Sequence, residues 1–363
     1  MNICEYINYW ETVIRAWLDN DICNSDLSNE ITQVLLSPKL KDVLRWHHIP
    51  GPYMGNPKSC SIVILNYNPG GRFDLDPMKC HRCLRCCRNY YSIINYVDRH
   101  GYFEFAKDFP YLNSNINDEL KRSLDGGKEW WEKKKEWIDN LTCKDRQVES
   151  TNVEGEKCKV KSSVKNTKYP FAMEVCGWHS AKWPSDALDK LDKNNGLGKH
   201  IGETVVKPMI DVIKKNNTFG VCVGKKLGDM LLNFSFENDT NNLIPYLSKL
   251  YTIPSPNKIK VSDVCINVQF DKNQKKYNIA IESITKSKSK GRYYRLLKLK
   301  HDECKDNIYM LNTWVAGSNK HSSDDFFKFE REIVCYINCV LNNLNCLQKG
   351  SYVKKSMGSS AMP

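Results

Sequence analysis

The 363-residue chain lacks any long apolar run and any export signal. Its apolar stretches fall well short of the ~20 consecutive residues that a membrane-spanning helix needs. The N-terminus carries Glu5 and Glu11 instead of the basic segment that begins a secretory signal. We therefore expect a cytoplasmic protein with no membrane partner.

A compact disulfide framework is also missing, although the chain has 16 cysteines. Scattered cysteines in a chain without an export signal are expected to be reduced thiols. One cluster, residues 80–87, has the close thiol spacing of a metal site. Cys80, Cys83 and Cys86 could hold zinc or a 4Fe-4S cluster with a fourth ligand. The alternative is a reduced, cysteine-rich helix whose arginines face DNA phosphates.

Acidic residues are outnumbered: 42 Asp and Glu stand against 54 Lys and Arg, a formal net charge of +12. This excess favours a polyanionic partner. One basic segment includes two tyrosines, a mixture suited to neutralising phosphates and stacking on bases, whereas the alternative is a solvated lysine-rich surface. The predicted DNA-binding residues are Lys286, Lys288, Lys290, Arg292, Tyr293, Tyr294, Arg295 and Lys320.

Three predicted strands end in polar loops. An apolar, β-branched run from Ile62 breaks into Asn68-Pro69-Gly70-Gly71, and the predicted strands 171–176 and 308–313 also lead into polar loops. In open α/β sheets, ligands bind at the carboxyl ends of the strands. Because the carboxyl ends of parallel strands share one edge, the sequence predicts that the three loops converge.

Strands that alternate with amphipathic helices predict an α/β fold of three layers, in which helices flank a mostly parallel central sheet. Alternating apolar residues on either side of a polar turn predict a β-hairpin over 264–284. The helices are predicted over about 6–40, 128–140, 203–215, 225–232 and 324–346.

We predict one domain over residues 1–350. It carries a Cys- and Trp-rich insertion over 75–168 and a β-hairpin insertion at about 250–305. A disordered tail is expected over 351–363. The sequence gives no prediction of the oligomeric state.

The three loops together resemble the motifs of the uracil-DNA glycosylase superfamily, specifically its divergent prokaryotic branch. That branch has an Asn-Pro-Gly turn after strand one, a middle Glu-x-x-x-aromatic-His-Ser motif, and a late small-residue loop with Ser and Asn. The counterparts here are Asn68-Pro69-Gly70, residues 174–180 and Gly317-Ser318-Asn319. The resemblance covers about residues 61–346 without the insertions, and it implies a DNA glycosylase of that fold.

The resemblance implies roles for the loop residues. Hydrolysis of an N-glycosidic bond requires an oriented water, support for an oxocarbenium-like sugar and support for the departing base. Asn68 is expected to orient the water and Asp74 to support the sugar, unless Asp74 is a surface acid. The last loop lacks the usual His-Pro-Ser triplet, so His321, with Lys320 or Ser322, is the candidate for the leaving base. The residues expected to bind the flipped base are Asn66, Pro69, Gly70, Gly71, Glu174, Trp178, His179, Ser180, Ser318 and Asn319.

Glu174 suggests which base is removed. The uracil enzymes have an Asn at this position, whereas an ionised carboxylate only accepts hydrogen bonds, for example from the exocyclic amine of cytosine. We therefore expect a modified cytosine. One antiviral glycosylase type resembling this branch removes glucosylated hydroxymethylcytosine from phage DNA, and that base is the first candidate. The alternative for Glu174 is a structural carboxylate bound to backbone amides.

Other functions stay open. They are a uracil or mismatch glycosylase, a non-catalytic nucleic-acid- or nucleotide-binding protein of the same fold, and a metal-dependent nuclease. The sequence shows no convincing carboxylate cluster for the nuclease. The glycosylase chemistry requires no cofactor.

Overall fold

In the structure, a computed structural model, short apolar runs form the strands of a sheet and amphipathic segments form helices that cover it. The described residues are 1–19, 21, 23–35, 44, 49–67, 88–113, 125–142, 148–151, 157–160, 169–178, 185–189, 191–254, 259–286, 291–300, 307–315 and 324–342.

The strands within these ranges are β1 (Tyr53–Met54), β2 (Val63–Asn66), β3 (Val148–Thr151), β4 (Lys157–Val160), β5 (Phe171–Glu174), β6 (Gly220–Val223), β7 (Phe236–Asn238), β8 (Val264–Asp271), β9 (Lys276–Ser283), β10 (Arg292–Leu299) and β11 (Tyr309–Val315). The α-helices are α1 (Ile3–Asp19), α2 (Ser25–Leu35), α3 (Arg88–His100), α4 (Tyr102–Ala106), α5 (Asp125–Leu141), α6 (Gly196–Ile201), α7 (Lys207–Asn216), α8 (Lys225–Phe234), α9 (Thr240–Leu247) and α10 (Asp324–Leu341). A π-helical turn, Gly202–Val206, joins α6 to α7, and 3-10 turns occupy Ser185–Leu188, Val261–Asp263 and Ile284–Lys286.

The main sheet has nine strands in the order β1-β5-β2-β6-β11-β10-β8-β9, with β7 also paired to β10, and β3 and β4 form a separate ribbon. The four central strands β5, β2, β6 and β11 are parallel. The other described pairings are antiparallel. The mixed α/β class is confirmed. The prediction of a mostly parallel sheet is corrected, because parallel pairing is confined to the centre.

The predicted hairpin insertion is part of this sheet. β8 and β9 form the expected hairpin. β10 pairs with β11 on one side and with β8 on the other, so that the hairpin continues the sheet beyond its parallel centre. The segment at about 250–305 therefore extends the main sheet instead of standing apart from it.

Two hydrophobic cores lie on opposite faces of the sheet, because successive side chains of a strand point to opposite sides. Val63 and Leu65 of β2 enter the core covered by α1, α7 and α8. Ile64, between them, enters the core covered by α5, α9 and α10. This arrangement gives the three layers that the sequence predicts.

Candidate functional site

β2, β5 and β11 end at the same edge of the sheet. Asn66 at the end of β2 is in register with Glu174 of β5. β6 links β2 to β11, since Cys222 pairs with both Leu65 and Asn312. The prediction that the three strands end at one edge of the sheet is thus confirmed. The predicted site residues in the loops beyond them lie outside the described residues: Asn68, Pro69, Gly70, Gly71, Asp74, His179, Ser180, Ser318, Asn319, Lys320 and His321.

The strand order reverses between β2 and β6. The chain leaves β2 for β5 on one side and later returns to β6 on the other side. In open α/β sheets such a switch point, at the carboxyl ends of the strands, is the usual ligand site. Here Gly224 follows β6 with a φ of +122°, and a Cβ added to it would lie 2.6 Å from Tyr67 Oη. A side chain at this position would therefore displace Tyr67 at the start of the first loop.

Asn66 and Glu174 form a polar pair at this edge. Asn66 Nδ2 donates a hydrogen bond to Glu174 Oε1 over 3.3 Å. Both residues are buried, with 8% and 9% of their surface exposed. Backbone bonds hold the pair in place, because Val175 N donates to Asn66 O and Glu174 N donates to Pro52 O, each at 2.9 Å. The ends of β2 and β5, from which the two loops start, are thus held together by hydrogen bonds.

The second carboxyl oxygen of Glu174, Oε2, is buried and has no hydrogen-bond partner among the described residues. Burial raises the pKa of Glu174 well above its ordinary value, and the hydrogen bond from Asn66 offsets this rise only in part. A carboxyl group that keeps its proton can donate through one oxygen and accept through the other. Among the described residues the partner of this carboxyl group is a side-chain amide and not a backbone amide.

Buried tyrosines near Glu174 complete its surroundings. Burial, and to a smaller degree the charge of Glu174, raise the pKa of Tyr111 to about 12. Burial also raises the pKa values of Tyr6 and Tyr102 well above their ordinary value, with smaller contributions from neighbouring groups that include Glu174. These hydroxyls stay neutral, and no described cation forms an ion pair with Glu174. Sequence reasoning missed the tyrosines, because nothing in their spacing links them to residue 174.

Trp178, a predicted base-binding residue, is fully buried in the core under α1. The preceding Gly177 lies directly against Trp10, whose ring would be 2.5 Å from an added Cβ. A side chain without exposed surface cannot line an open pocket. The structure therefore corrects this prediction and assigns Trp178 to the packing that supports the second loop.

Four predicted DNA-binding residues lie in β10 and are buried, with exposures of 3% for Arg292 and 0% for Tyr293, Tyr294 and Arg295. β10 has a neighbour on each side and a core on each face. Arg295 Nη1 donates to Asp229 Oδ1 over 2.8 Å, and Tyr294 Oη donates to Glu330 over 2.8 Å.

The structure thus corrects the prediction for these four residues, because their polar groups serve buried networks instead of a DNA surface. Of the remaining members of the segment, Lys288 and Lys290 lie outside the described residues. For Lys286 only the backbone is described, at the end of a 3-10 turn.

The predicted metal ligands Cys80, Cys83 and Cys86 also lie outside the described residues. Within the part of the chain that is described, no three His, Cys, Asp or Glu side chains are grouped to hold a metal ion. Among the described residues, Cys4, Cys23, Cys60, Cys176, Cys222 and Cys265 form no disulfide. Of the described helices, none combines the length and apolar character needed to cross a bilayer.

Comparison with known proteins returns no relative: no family model, no curated protein and no solved structure matches the chain.

Proposed function

We propose that the chain is a DNA glycosylase that hydrolyses the N-glycosidic bond of a modified pyrimidine and leaves an abasic site. Glucosylated hydroxymethylcytosine, as in phage DNA, is the first candidate for the base, and antiviral defence is the corresponding role. The motifs Asn68-Pro69-Gly70 and 174–180 support this proposal through their resemblance to the uracil-DNA glycosylase superfamily.

One observation carries the proposal: beside the switch point of the sheet lies a buried carboxyl group, one oxygen of which has no hydrogen-bond partner among the described residues. Leaving a buried polar atom without a partner costs about 1–3 kcal/mol. Such groups are uncommon in folded proteins, and a ligand that completes the hydrogen bonding accounts for them. Glu174 Oε2 is such an atom, and Asn66, which holds the other oxygen, is two residues before Asn68.

The protonation state of Glu174 decides which base edge fits. An ionised Glu174 accepts a hydrogen bond from the N4 amine of cytosine through Oε2. A protonated Glu174 can also donate from Oε2, either to N3 of cytosine or to O4 of uracil. Selectivity for a cytosine-type base is therefore greatest where Glu174 is ionised.

In the proposed reaction the loop residues perform the chemistry. Asn68 orients the attacking water, and its amide does so without ionising. Asp74 supports the cationic sugar, and His321 supports the departing base. The nucleotide is first flipped out of the duplex, since the bond to be cleaved is otherwise stacked inside it.

The test is mass spectrometry of the bases released from DNA that contains uracil, cytosine, hydroxymethylcytosine or glucosylated hydroxymethylcytosine. We expect release of the glucosylated base without added magnesium, together with alkali-labile sites in the DNA. Asn68→Ala should lower the rate by about 10²-fold or more. The matched control is Asn8→Ala at an exposed position of α1, which should leave the rate unchanged.

Three outcomes count against the proposal. Release of uracil alone rejects the assignment of the base. Binding of DNA without release of any base favours a non-catalytic protein of the same fold. Magnesium-dependent nicking of the DNA would instead indicate a nuclease.

A further inference from the structure

The β8–β9 hairpin carries exposed lysines at its tip. Its turn, residues 271–276, contains Lys272, Lys275 and Lys276, and all three are exposed. The turn is ordered by Asp271, whose Oδ1 accepts hydrogen bonds from the backbone N–H groups of Asn273 and Gln274. The only carboxylate of the turn is thus engaged by the backbone, and the turn presents positive charge to solvent.

The hairpin tip points toward the same edge of the sheet as Asn66 and Glu174. β8 and β11 are both antiparallel to β10, so β8 runs in the same direction as the four central strands. The tip follows the carboxyl end of β8. The lysines and the candidate site therefore share one side of the molecule.

The register of the strands gives the height of the tip. Leu65 pairs with Cys222, so Asn66 is level with Val223. Val223 pairs with Thr313, Thr313 with Tyr294 and Tyr294 with Ile266, so Ile266 lies at the same height as Asn66. Asp271 is five residues further along β8, which is ~17 Å at the rise of a strand. The hairpin therefore projects beyond the other strand ends as an arm.

The lateral separation also follows from the strand order. Between β5, which carries Glu174, and β8 there are five strand-to-strand steps, through β2, β6, β11 and β10, which amount to ~24 Å at the usual spacing. Along a duplex, ~24 Å corresponds to about seven base pairs, given one phosphate per 3.4 Å of each strand. A duplex laid across this edge with one nucleotide at Glu174 would bring its backbone to the arm.

Aromatic packing fixes the arm to the core. Tyr277, one residue after the tip, lies 5.2 Å from Phe270, 5.8 Å from Tyr251 and 5.9 Å from Phe329 of α10 between ring centroids. A hairpin held in this way is ordered before a ligand arrives, so that little conformational entropy is lost on binding.

Building on the proposed function, we propose that the tip of the β8–β9 hairpin is a DNA-backbone contact that holds the duplex flanking the flipped nucleotide. Lys275 and Lys276 neutralise phosphates there. Double-stranded DNA is the partner because the arm stands beside the site at a distance that a duplex spans, and because its charge is complementary to a phosphate backbone. The proposed DNA contact thus lies in the hairpin that precedes β10, and not in β10 itself as the sequence predicted.

The experiment measures binding of the full chain to an unmodified DNA duplex by fluorescence anisotropy over a series of salt concentrations. Lys275→Ala/Lys276→Ala should weaken binding several-fold and reduce the slope of log K against log salt by about 2, at roughly 0.9 per phosphate. The control is Lys58→Ala/Lys214→Ala, which removes the same charge from exposed positions before β2 and β6, at the opposite edge of the sheet. Urea midpoints equal to that of the wild type establish that both variants fold.

The proposal is overturned if the hairpin variant keeps the wild-type slope, if the control loses as much, or if the wild type does not bind DNA. The proposal is also overturned if the hairpin variant binds an RNA duplex more weakly than the wild type does but binds the DNA duplex equally well. Its failure is distinct from that of the glycosylase activity. If the hairpin variant has a reduced salt slope but the wild type releases no base, the DNA contact is supported and the glycosylase activity is rejected. If the wild type releases the base but the hairpin variant keeps the wild-type slope, the activity is supported and the DNA contact is rejected.

Discussion

Replacing Glu174 with Gln tests the electrostatics of the candidate site directly. Gln keeps the size of the side chain and the carbonyl oxygen that accepts the hydrogen bond from Asn66 Nδ2. It replaces Oε2 by an amide nitrogen and so removes the ability to ionise. The observable is therefore the pH dependence of stability, because stability at a single pH also includes the cost of burying an amide in place of Oε2.

The sign of the effect follows from the direction of the pKa shift. The pKa of Glu174 is raised by burial above its ordinary value of 4.5. Below that pH both the folded and the unfolded chain hold the proton. Between 4.5 and the raised pKa only the folded chain holds it, so stability falls as pH rises. Each pH unit in this window lowers the free energy of unfolding of the wild type relative to Glu174→Gln by about 1.4 kcal/mol.

Urea unfolding at a series of pH values from 4 upward, followed by tryptophan fluorescence, measures this difference. We expect the wild type to lose stability relative to Glu174→Gln as pH rises above 4.5, and then to run parallel to it once the folded carboxyl has ionised. The matched control is Glu237→Gln, which makes the same change at an exposed carboxyl in β7, and the effect of Glu174→Gln should exceed the effect of this control. Parallel curves for the wild type and Glu174→Gln over the whole range would refute a buried, proton-holding carboxyl at position 174.

Two further predictions concern the framework of the site. Asp229→Ala leaves the fully buried Arg295 without its carboxylate and should lower the free energy of unfolding by about 3 kcal/mol. The control, Glu203→Ala in an exposed pair with Lys207, should lower it by less than about 1 kcal/mol. Equal losses of the two variants in urea unfolding would contradict this prediction. Gly224→Ala combines a φ of +122° with a contact to Tyr67 and should lower the melting temperature more than Gly196→Ala, where φ is +50° and the added Cβ meets no atom. Equal shifts in thermal unfolding of these two variants would show that Tyr67 does not constrain position 224.

The parallel centre of the sheet is predictable because its strands are short, apolar and bounded by turn residues. β2 and β5 have four buried residues each, and a polar side chain ends each of them. The same residues identify the start of the site, since Asn66 and Glu174 are the polar residues at the two strand ends. The local sequence pattern is sufficient here because a short, continuous apolar run is typical of a strand that is buried on both faces.

β10 shows where local patterns fail. Its sequence, RYYRLLKL, has the basic and aromatic mixture of a nucleic-acid-binding surface, yet six of its eight residues are buried. The groups that neutralise its arginines are far away in the chain, for example Asp229 for Arg295 and Glu330 near Arg292. Likewise, Trp178 is buried in a core that includes Trp10, and the preceding Gly177 lies against the ring of Trp10. No window of sequence around these residues contains their partners.

The bond between Asn66 and Glu174 joins two motifs that are 108 positions apart in the chain. Without the amide at 66, both oxygens of the Glu174 carboxyl would lack a described partner. A substitution at either position therefore changes the effect on stability of a substitution at the other, and we expect the two residues to change together during evolution. A library that randomises them jointly should recover folded variants that substitution of one position at a time would discard.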